Sequence, residues 1–585
     1  MSNIQADQEQ LDHLRHSAAH LLAAAVMELW PDTKRTIGPA IENGFYYDFE
    51  FSESKSEADF AQIENKMRQI LKSWKGFERL EMSAEAAKAE YLDNQYKQEL
   101  IEQFAGKGEK ITFYKAGEFS DLCRGGHVEN PAEELKHFKL LSIAGAYWRG
   151  DEKNQMLTRI YGTVFPSKEG LEAYLLQQEE ARKRDHRKLG RELDLFVFSD
   201  LVGSGLPLFT YKGALIRKLL QEFVGSLQSA IGYQEVWTPQ LTRAELFKVS
   251  GHYDKYKDDM FRVTSNYSDE EFFLKPMNCP MHAQIYASAQ RSYRDLPLRY
   301  SDNANLYRDE KPGELSGLSR LRAFSQDDGH CFCREDQIEA EFINVAEIIK
   351  QAINAFGMKY WIRLSLWDPE NKEKYLGSPE VWERAQSTLE KIVSKLGVEY
   401  QRAEGEAAIY GPKMDFIAVD ALGREWQIST IQLDFIQPER FGLEYIDQDG
   451  QAKMPVMIHR AILGSPERFM GLLIEHFAGA FPLWLAPVQA VVIPITSEQD
   501  EYAQEVLAQL QAAGIRVENW NQAESMQKRI RKAEKEKVPY MLVIGKQEVE
   551  AKSVAVRQRG NQDQGLLGVS ELVKMLNEKI ASRAL

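Results

Sequence analysis

The chain has 585 residues, 43% hydrophobic and 28% charged, which fits three to four globular domains at about 150 residues each and excludes fibrous and disordered classes. Asp and Glu number 88 against 73 Lys and Arg, a formal charge of −15, so a uniformly basic nucleic-acid coat is excluded while local basic patches are not. The four cysteines are too few to staple so long a chain, the N-terminus is polar and acidic, and no stretch approaches the roughly 18 apolar residues of a membrane span, which together point to a reducing, cytoplasmic setting.

Apolar residues at helical spacing from Leu11 to Leu29 predict a helix over 8–30. GFYYDFEF and ITFYKAG read as strands with a helix near 57–73 between them, and AYWRGDEKNQMLTRIYG as two short strands around a polar turn. One charged helix is expected over 168–191, ending in ARKRDHRKLGR, with six basic residues and one acidic. The middle alternates long helices (212–230, 335–356, 378–396) with hydrophobic strands and contains no Walker or Rossmann phosphate loop. Beyond residue 488 the pattern becomes strand 489–495, helix 497–513, strand 515–520, helix 522–537, strands 539–544 and 553–558, and helix 569–583, a compact α/β unit.

Residues 299–333 carry the most chemistry. Two extended runs flank a loop with Pro312, Gly313 and Gly317, the layout of an antiparallel hairpin with a long tip. Strand alternation places Arg320, Arg322, Phe324, Gln326, Asp328 and His330 on one face, with Cys331 and Cys333 turned away as core residues. By pattern alone this face suits a solvated edge or a nucleotide site, since guanidinium forks grip phosphate and an aromatic ring stacks a base.

Three runs, Tyr307-Arg308-Asp309-Glu310, Gly317-Leu318-Ser319-Arg320 and Phe324-Ser325-Gln326-Asp327-Asp328, followed by His330, resemble motif 2 of the class II aminoacyl-tRNA synthetases. The resemblance is to the threonyl-tRNA synthetase family in particular. PMNCP at 276–280, GPKMDF at 411–416, QLDF at 432–435 and MIHRAILGSPERF at 457–469 support it in fixed order over nearly the whole chain. It implies an α+β and α/β multidomain fold: an editing (tRNA deacylation) domain with linker helix at 1–185, a class II antiparallel-sheet catalytic domain at 186–487, and an α/β anticodon-binding domain at 488–585. The implied activity is ATP-dependent ligation of L-threonine to threonine tRNA through threonyl-adenylate. Residues 212–240 resemble motif 1, which implies a homodimer.

The same resemblance assigns residues. Arg308 and Arg468, with Mg²⁺ accompanying ATP, would stabilise the charge that builds on the α-phosphate, Lys413 joining them as a catalytic residue. Glu310 would meet the adenine amino group, Phe324 would stack on the ring, and Arg320 would lie near the phosphates. Met277, Gln326, Asp328, Tyr410, Gln427 and Ser465 match substrate-pocket positions. Cys279, His330 and His459 match the family's Zn²⁺ ligands, although spacings of 51 and 129 residues carry no metal motif of their own. Zinc that reads a hydroxyl rejects valine strongly, whereas serine lacks only a methyl, worth about 1–3 kcal/mol. A second, hydrolytic site is therefore expected, and His16 and His20 with Asp121, Cys123 and His127 resemble the family's editing module. Two His, a Cys and a third His are also a full tetrahedral metal set, though the family's site works without metal.

The helix at 522–537 concentrates Lys528, Arg529, Arg531, Lys532, Lys535 and Lys537 against an otherwise acidic chain. Lys537, Glu548 and Arg557 match anticodon-reading positions. Four departures stand out: Ile428-Ser429 where a cysteine and a small residue are commoner, Gly126 where proline is usual, Lys537 where arginine is common, and the absence of the N-terminal ubiquitin-like domain of many relatives. The rival readings are a synthetase-like RNA-binding regulator, disfavoured by retention of Arg308, Arg468 and all three zinc-ligand positions, and an editing-only hydrolase, which amino-acid-dependent ATP–pyrophosphate exchange would separate.

Overall fold

The computed structural model describes residues 2–585, with side chains from residue 9 onward. The chain packs as two units, 2–179 and 180–585.

In the first unit a long helix, Ser2–Leu29, buries Leu14, Ala18, Leu21, Leu22, Ala25 and Val26. Their three- and four-residue spacing makes one apolar stripe. It packs with Phe45, Phe49, Ile160 and Val164 of an antiparallel sheet whose longest strands are Gly44–Glu50, Met156–Phe165 and, at the edge, His137–Tyr147. The last two strands are 10 and 11 residues long, where short ones were expected, because the pairing runs on past the polar turn to Phe165 and His137. A second sheet joins Glu78–Met82, Ile111–Ala116 and Phe119–Leu122.

The charged stretch 168–191 is two helices, not one: Lys168–Arg184 and His186–Glu192. Asp185 breaks it, with its carboxylate accepting from the Arg187 N–H at 2.8 Å as an N-cap, a local bond that competes with helix continuation.

The second unit is built on an eight-stranded sheet, antiparallel except for a parallel pairing at each edge. Strand Val456–Ala461 inserts between Ala323–Cys333 and Glu425–Asp434, so residues far apart in sequence become neighbours. Helices Tyr211–Ala230, Ile338–Asn354 and Pro466–His476 contribute to its apolar core, which also takes Cys331 and Cys333. The hairpin strands are Leu298–Tyr307 and Ala323–Cys333. Arg320 and Arg322 therefore precede the strand instead of standing on its face; the loop's own contacts hold them, Arg322 donating to the Glu310 carbonyl at 2.9 Å.

The C-terminal sheet runs Val517–Asn519, Ala490–Pro494, Tyr540–Ile544, Ser553–Gln558, Gln562–Gly568, the first three parallel and the rest antiparallel. The fifth strand was not expected; its face is mostly exposed and lacks an apolar alternation to read. Fold class is as anticipated, an antiparallel catalytic-type sheet with α+β and α/β neighbours.

Candidate active and editing sites

Residues directly opposed on neighbouring strands share a face of the sheet. His330 lies opposite His459, Tyr300 opposite His330, Gln432 opposite His459, and Lys413 opposite Gln432. One row across the sheet thus gathers five separated residues. Cys279, the first residue of helix Cys279–Ala287, brings its thiol to the two imidazoles, and the three donor atoms lie within 4.8 Å of one another, all buried. Asp434 holds His459 at Nε2 (2.8 Å), and Tyr410 stacks on the same ring at 4.5 Å. His330 Nδ1 meets His282 Nδ1 at 2.7 Å, and His282 Nε2 meets the Asn278 amide at 2.9 Å. Asp434 thus gives His459 the carboxylate support usual for a metal-binding imidazole, whereas the Asn278 amide donates to His282, whose Nδ1–H in turn donates to His330. Burial keeps His330 neutral and the Cys279 thiol protonated in this form, and lifts Asp328 to about 6.

Met277, Cys279, Arg308, Gln326, Asp328, His330, Tyr410 and His459 line one cavity of about 520 Å³. It adjoins a second of about 520 Å³ lined by Arg308, Glu310, Arg320, Phe324, Gln326, Gln427, Ser465 and Arg468. The two share Arg308, Glu310, Arg320, Gln326, Thr430 and Gln432 along their seam. The Arg308 guanidinium sits 5.2 Å over the Phe324 ring. Arg468 stands in the first turn of the helix Pro466–His476, whose N-cap Ser465 accepts from the Arg468 N–H at 3.3 Å. Among the described residues neither Arg308 nor Arg468 forms an ion pair, and desolvation lowers the pKa of both. Two cleft-facing guanidiniums that no carboxylate pairs directly make an anion site, although Glu310 and Asp259 lie near enough to act on Arg308. Arg320 differs: Glu310 (2.8 Å) and Glu314 (3.0 Å) already hold it.

Lys413 lines neither cavity. Its ammonium pairs with the buried Asp415 at 2.7 Å, and the same carboxylate accepts from Gln427 at 2.9 Å. Lys413 thus reaches the cleft through neighbours: Asp415 and Gln427, and Gln432 opposite it, which lines both cavities. His252, Asn278, His282 and Asp415 escaped the sequence reading. Only His282 had a usable signal, three residues after Cys279 on the same helix face.

In the first unit His16, His20, Cys123 and His127 converge, with donor atoms within 4.8 Å of one another. Cys123 Sγ lies 3.3 Å from His16 Nε2 and 3.4 Å from His127 Nε2, and Ser17 Oγ bonds His127 Nδ1 at 3.1 Å. His16, His20 and Cys123 border a cleft of about 1000 Å³. Desolvation pushes His20 down to about 3 and His127 lower still, and raises Cys123 to about 12. The site therefore presents neutral imidazoles and a thiol, not a thiolate nucleophile. Asp121 stands behind it, buried, paired with Lys97 at 2.7 Å and bonded to Tyr91 at 2.8 Å and to Tyr47. Burial opposes its charge, but Lys97 and Arg35 hold its carboxyl well below the usual range. Lys97, which also lines the cleft, gave no signal in sequence.

In the C-terminal sheet Arg557 lies on Ser553–Gln558, and Glu548 Oε2 accepts from the Gly545 N–H at 2.8 Å. Lys537 has a left-handed φ of 60° after its helix, and its carbonyl accepts from Arg559 at 2.7 Å. Its side chain lines a groove with Gly479 and Phe481, at the other end of strand Tyr540–Ile544 from Glu548. Arg529 does not belong to the exposed basic patch: it is 3% exposed and donates to the Trp520 carbonyl at 2.6 Å.

Comparison with known proteins agrees with this arrangement. Residues 261–477 match the model of the tRNA synthetase class II core domain (G, H, P, S and T), 489–579 the anticodon binding domain, and 111–161 the threonyl and alanyl tRNA synthetase second additional domain. The threonine–tRNA ligase of Rubrobacter xylanophilus is 50% identical over 98% of this chain and 90% of its own, and that of Gloeobacter violaceus 50% identical over 99% and 94%. A Cryptosporidium parvum structure, titled as the RNA binding domain of threonyl-tRNA synthetase, superposes with a TM-score of 0.64 at 37% identity over 67% of this chain and 98% of its own. With half its residues identical to these ligases over almost its full length, the chain belongs to the threonine–tRNA ligase family, built on a class II aminoacyl-tRNA synthetase core.

Proposed function

We propose that the chain attaches L-threonine to threonine tRNA through threonyl-adenylate and hydrolyses mischarged seryl-tRNA, in three parts at 1–185, 186–487 and 488–585. The observation that carries this reading is the junction of two cavities, one holding the Cys279, His330 and His459 donor set, the other Arg308 and Arg468, neither in an ion pair among the described residues. ATP with Mg²⁺ enters the second, its adenine against Phe324, its amino group toward Glu310, and its α-phosphate between the two arginines. Arg320 joins the phosphates by exchanging its Glu310 partner. Attack by the threonine carboxylate builds charge that Arg308 and Arg468 meet in place. Lys413 acts indirectly, by orienting Asp415 and Gln427.

A thiol and two imidazoles fit Zn²⁺ by donor type and spacing, and when bound that ion supplies an open position for the amino and hydroxyl groups of threonine. Met277, Gln326, Asp328, Tyr410, Gln427 and Ser465 shape the pocket around it. In the editing site His16, His20, His127 and Cys123 hold and orient the hydrolytic water by neutral hydrogen bonding, with the ionised Asp121 behind them, held by Lys97 and Arg35. The anticodon reading rests on Arg557 and Glu548, with Lys537 at the margin. Exposed apolar side chains, among them Val197, Phe198, Leu201, Tyr211 and Trp237, support a homodimer. Among the described residues no helix is long and apolar enough to cross a membrane, which agrees with a cytoplasmic enzyme.

Threonine-dependent ATP–pyrophosphate exchange tests the ligation reading directly. Its absence from the zinc-loaded protein overturns the reading, and failure to deacylate seryl-tRNA bearing a threonine anticodon overturns the editing half alone.

A further inference from the structure

The imidazole of His186 ties the tip of the motif 2 loop to the helix that carries Arg468. His186 opens the helix His186–Glu192, and its side chain is buried. Its Nε2 lies 2.9 Å from the backbone nitrogen of Leu318, and its Nδ1 lies 2.6 Å from Glu475 Oε1. A backbone N–H can only donate, so Nε2 is the acceptor and Nδ1 carries the proton toward the carboxylate. Both nitrogens are used, which leaves none for a metal even though Asp185, His186 and Glu475 cluster. The His186 backbone N–H adds a bond to the same Glu475 oxygen at 3.1 Å, and Arg424 holds the other oxygen at 2.5 Å.

The loop is fitted to this ring. Gly317 has φ 47°, and a Cβ there would fall 2.1 Å from His186 Nε2; a Cβ on Gly471 already reaches the ring at 3.6 Å. Leu318, Ser319, Arg320 and Leu321, just beyond the contact, line the Arg308–Arg468 cleft. Glu475 lies near the C-terminal end of the helix whose first turn bears Arg468.

We propose that His186 is a positioning residue for ATP: by accepting from Leu318 and donating to Glu475 it fixes the motif 2 loop at a set distance from Arg468. The inference rests on the cleft being the nucleotide site, as argued above.

The full-length protein is tested by threonine-dependent ATP–pyrophosphate exchange, with ATP and threonine varied in turn, in His186→Ala, His186→Gln and His186→Asn. An amide oxygen at the end of Gln can replace Nε2 toward Leu318, whereas the Asn amide replaces only the Nδ1 donor. Losing one buried hydrogen bond corresponds to roughly a five- to tenfold change. The Ala and Asn variants should raise the ATP KM by that factor with the threonine KM within about twofold, and Gln should restore it. Amide hydrogen exchange over 316–321 should accelerate in Ala and Asn and not in Gln. If the Ala variant does not fold, the contrast between Gln and Asn still decides. An unchanged ATP KM, or Gln and Asn behaving alike, overturns the assignment of His186. A parent protein without exchange activity overturns instead the reading of the cleft on which it rests.

Discussion

Replacing Arg468 with Gln separates catalysis from stability, because the two should move in different directions. The guanidinium has no carboxylate partner among the described residues and stands in the first turn of Pro466–His476. A cation at a helix N-terminus opposes the helix dipole by about 0.3–1 kcal/mol. Removing it should therefore leave the unfolding midpoint unchanged or raise it by up to about 2 °C. Two charge-assisted bonds to phosphate, at about 1.5–3 kcal/mol each, amount to about 3–6 kcal/mol. That is a fall of about 10²- to 10⁴-fold in kcat/KM for ATP in pyrophosphate exchange. Arg460→Gln is the contrast. Arg460 is 1% exposed, donates to the Asp327 carbonyl at 2.7 Å and lies 4.3 Å over the Tyr233 ring, so its replacement should lower the midpoint clearly. If Arg468→Gln lost stability as Arg460→Gln does, or exchanged ATP normally, the anion-site argument would be refuted.

Cys279→Ala should lose the metal and threonine activation while the fold persists; zinc retained on elemental analysis would count against the ligand set. Cys123→Ala should leave pyrophosphate exchange unchanged and let seryl-tRNA accumulate, and normal clearance by this variant would remove Cys123 from the editing site. Because His20 is held down at about 3, the unfolded chain binds more protons than the folded one between about pH 6.5 and 3. Stability of the first unit should accordingly fall with acid over that window, by about 1.4 kcal/mol per pH unit for this group, and His20→Gln should flatten the slope in acid unfolding curves. Arg557→Ala should raise the KM for tRNA and relax anticodon preference with exchange intact; an unchanged tRNA KM would exclude it as a reader.

Much of this was legible in residues that obey a local rule. The alternation Phe324, Gln326, Asp328, His330 holds because the strand is continuous from Ala323 to Cys333, and the same parity placed Cys331 and Cys333 in the core. Arg320 and Arg322 failed it because the strand starts later than the charges suggest. The charged helix broke at Asp185 through a cap that periodicity cannot register. Arg529 looked exposed because composition marks a basic residue as solvated, yet two carbonyls accept from its guanidinium in the interior. Lys97 behind Asp121 was not foreseeable, since its partner is supplied only by the folded unit, whereas Lys413 and Asp415 are two apart on one strand and share a face by the same alternation.

The place of Val456–Ala461 in the sheet sets an order of completion during synthesis. The strand that carries His459 is the last of the eight to leave the ribosome, yet it lies between two made earlier. The hydrolytic unit, 2–179, has its own apolar core and is finished almost three hundred residues sooner, and N-terminal domains generally fold first as the chain emerges. A message cut short anywhere between these points yields at most a proofreader. Every chain long enough to charge tRNA has already made the device that corrects its errors.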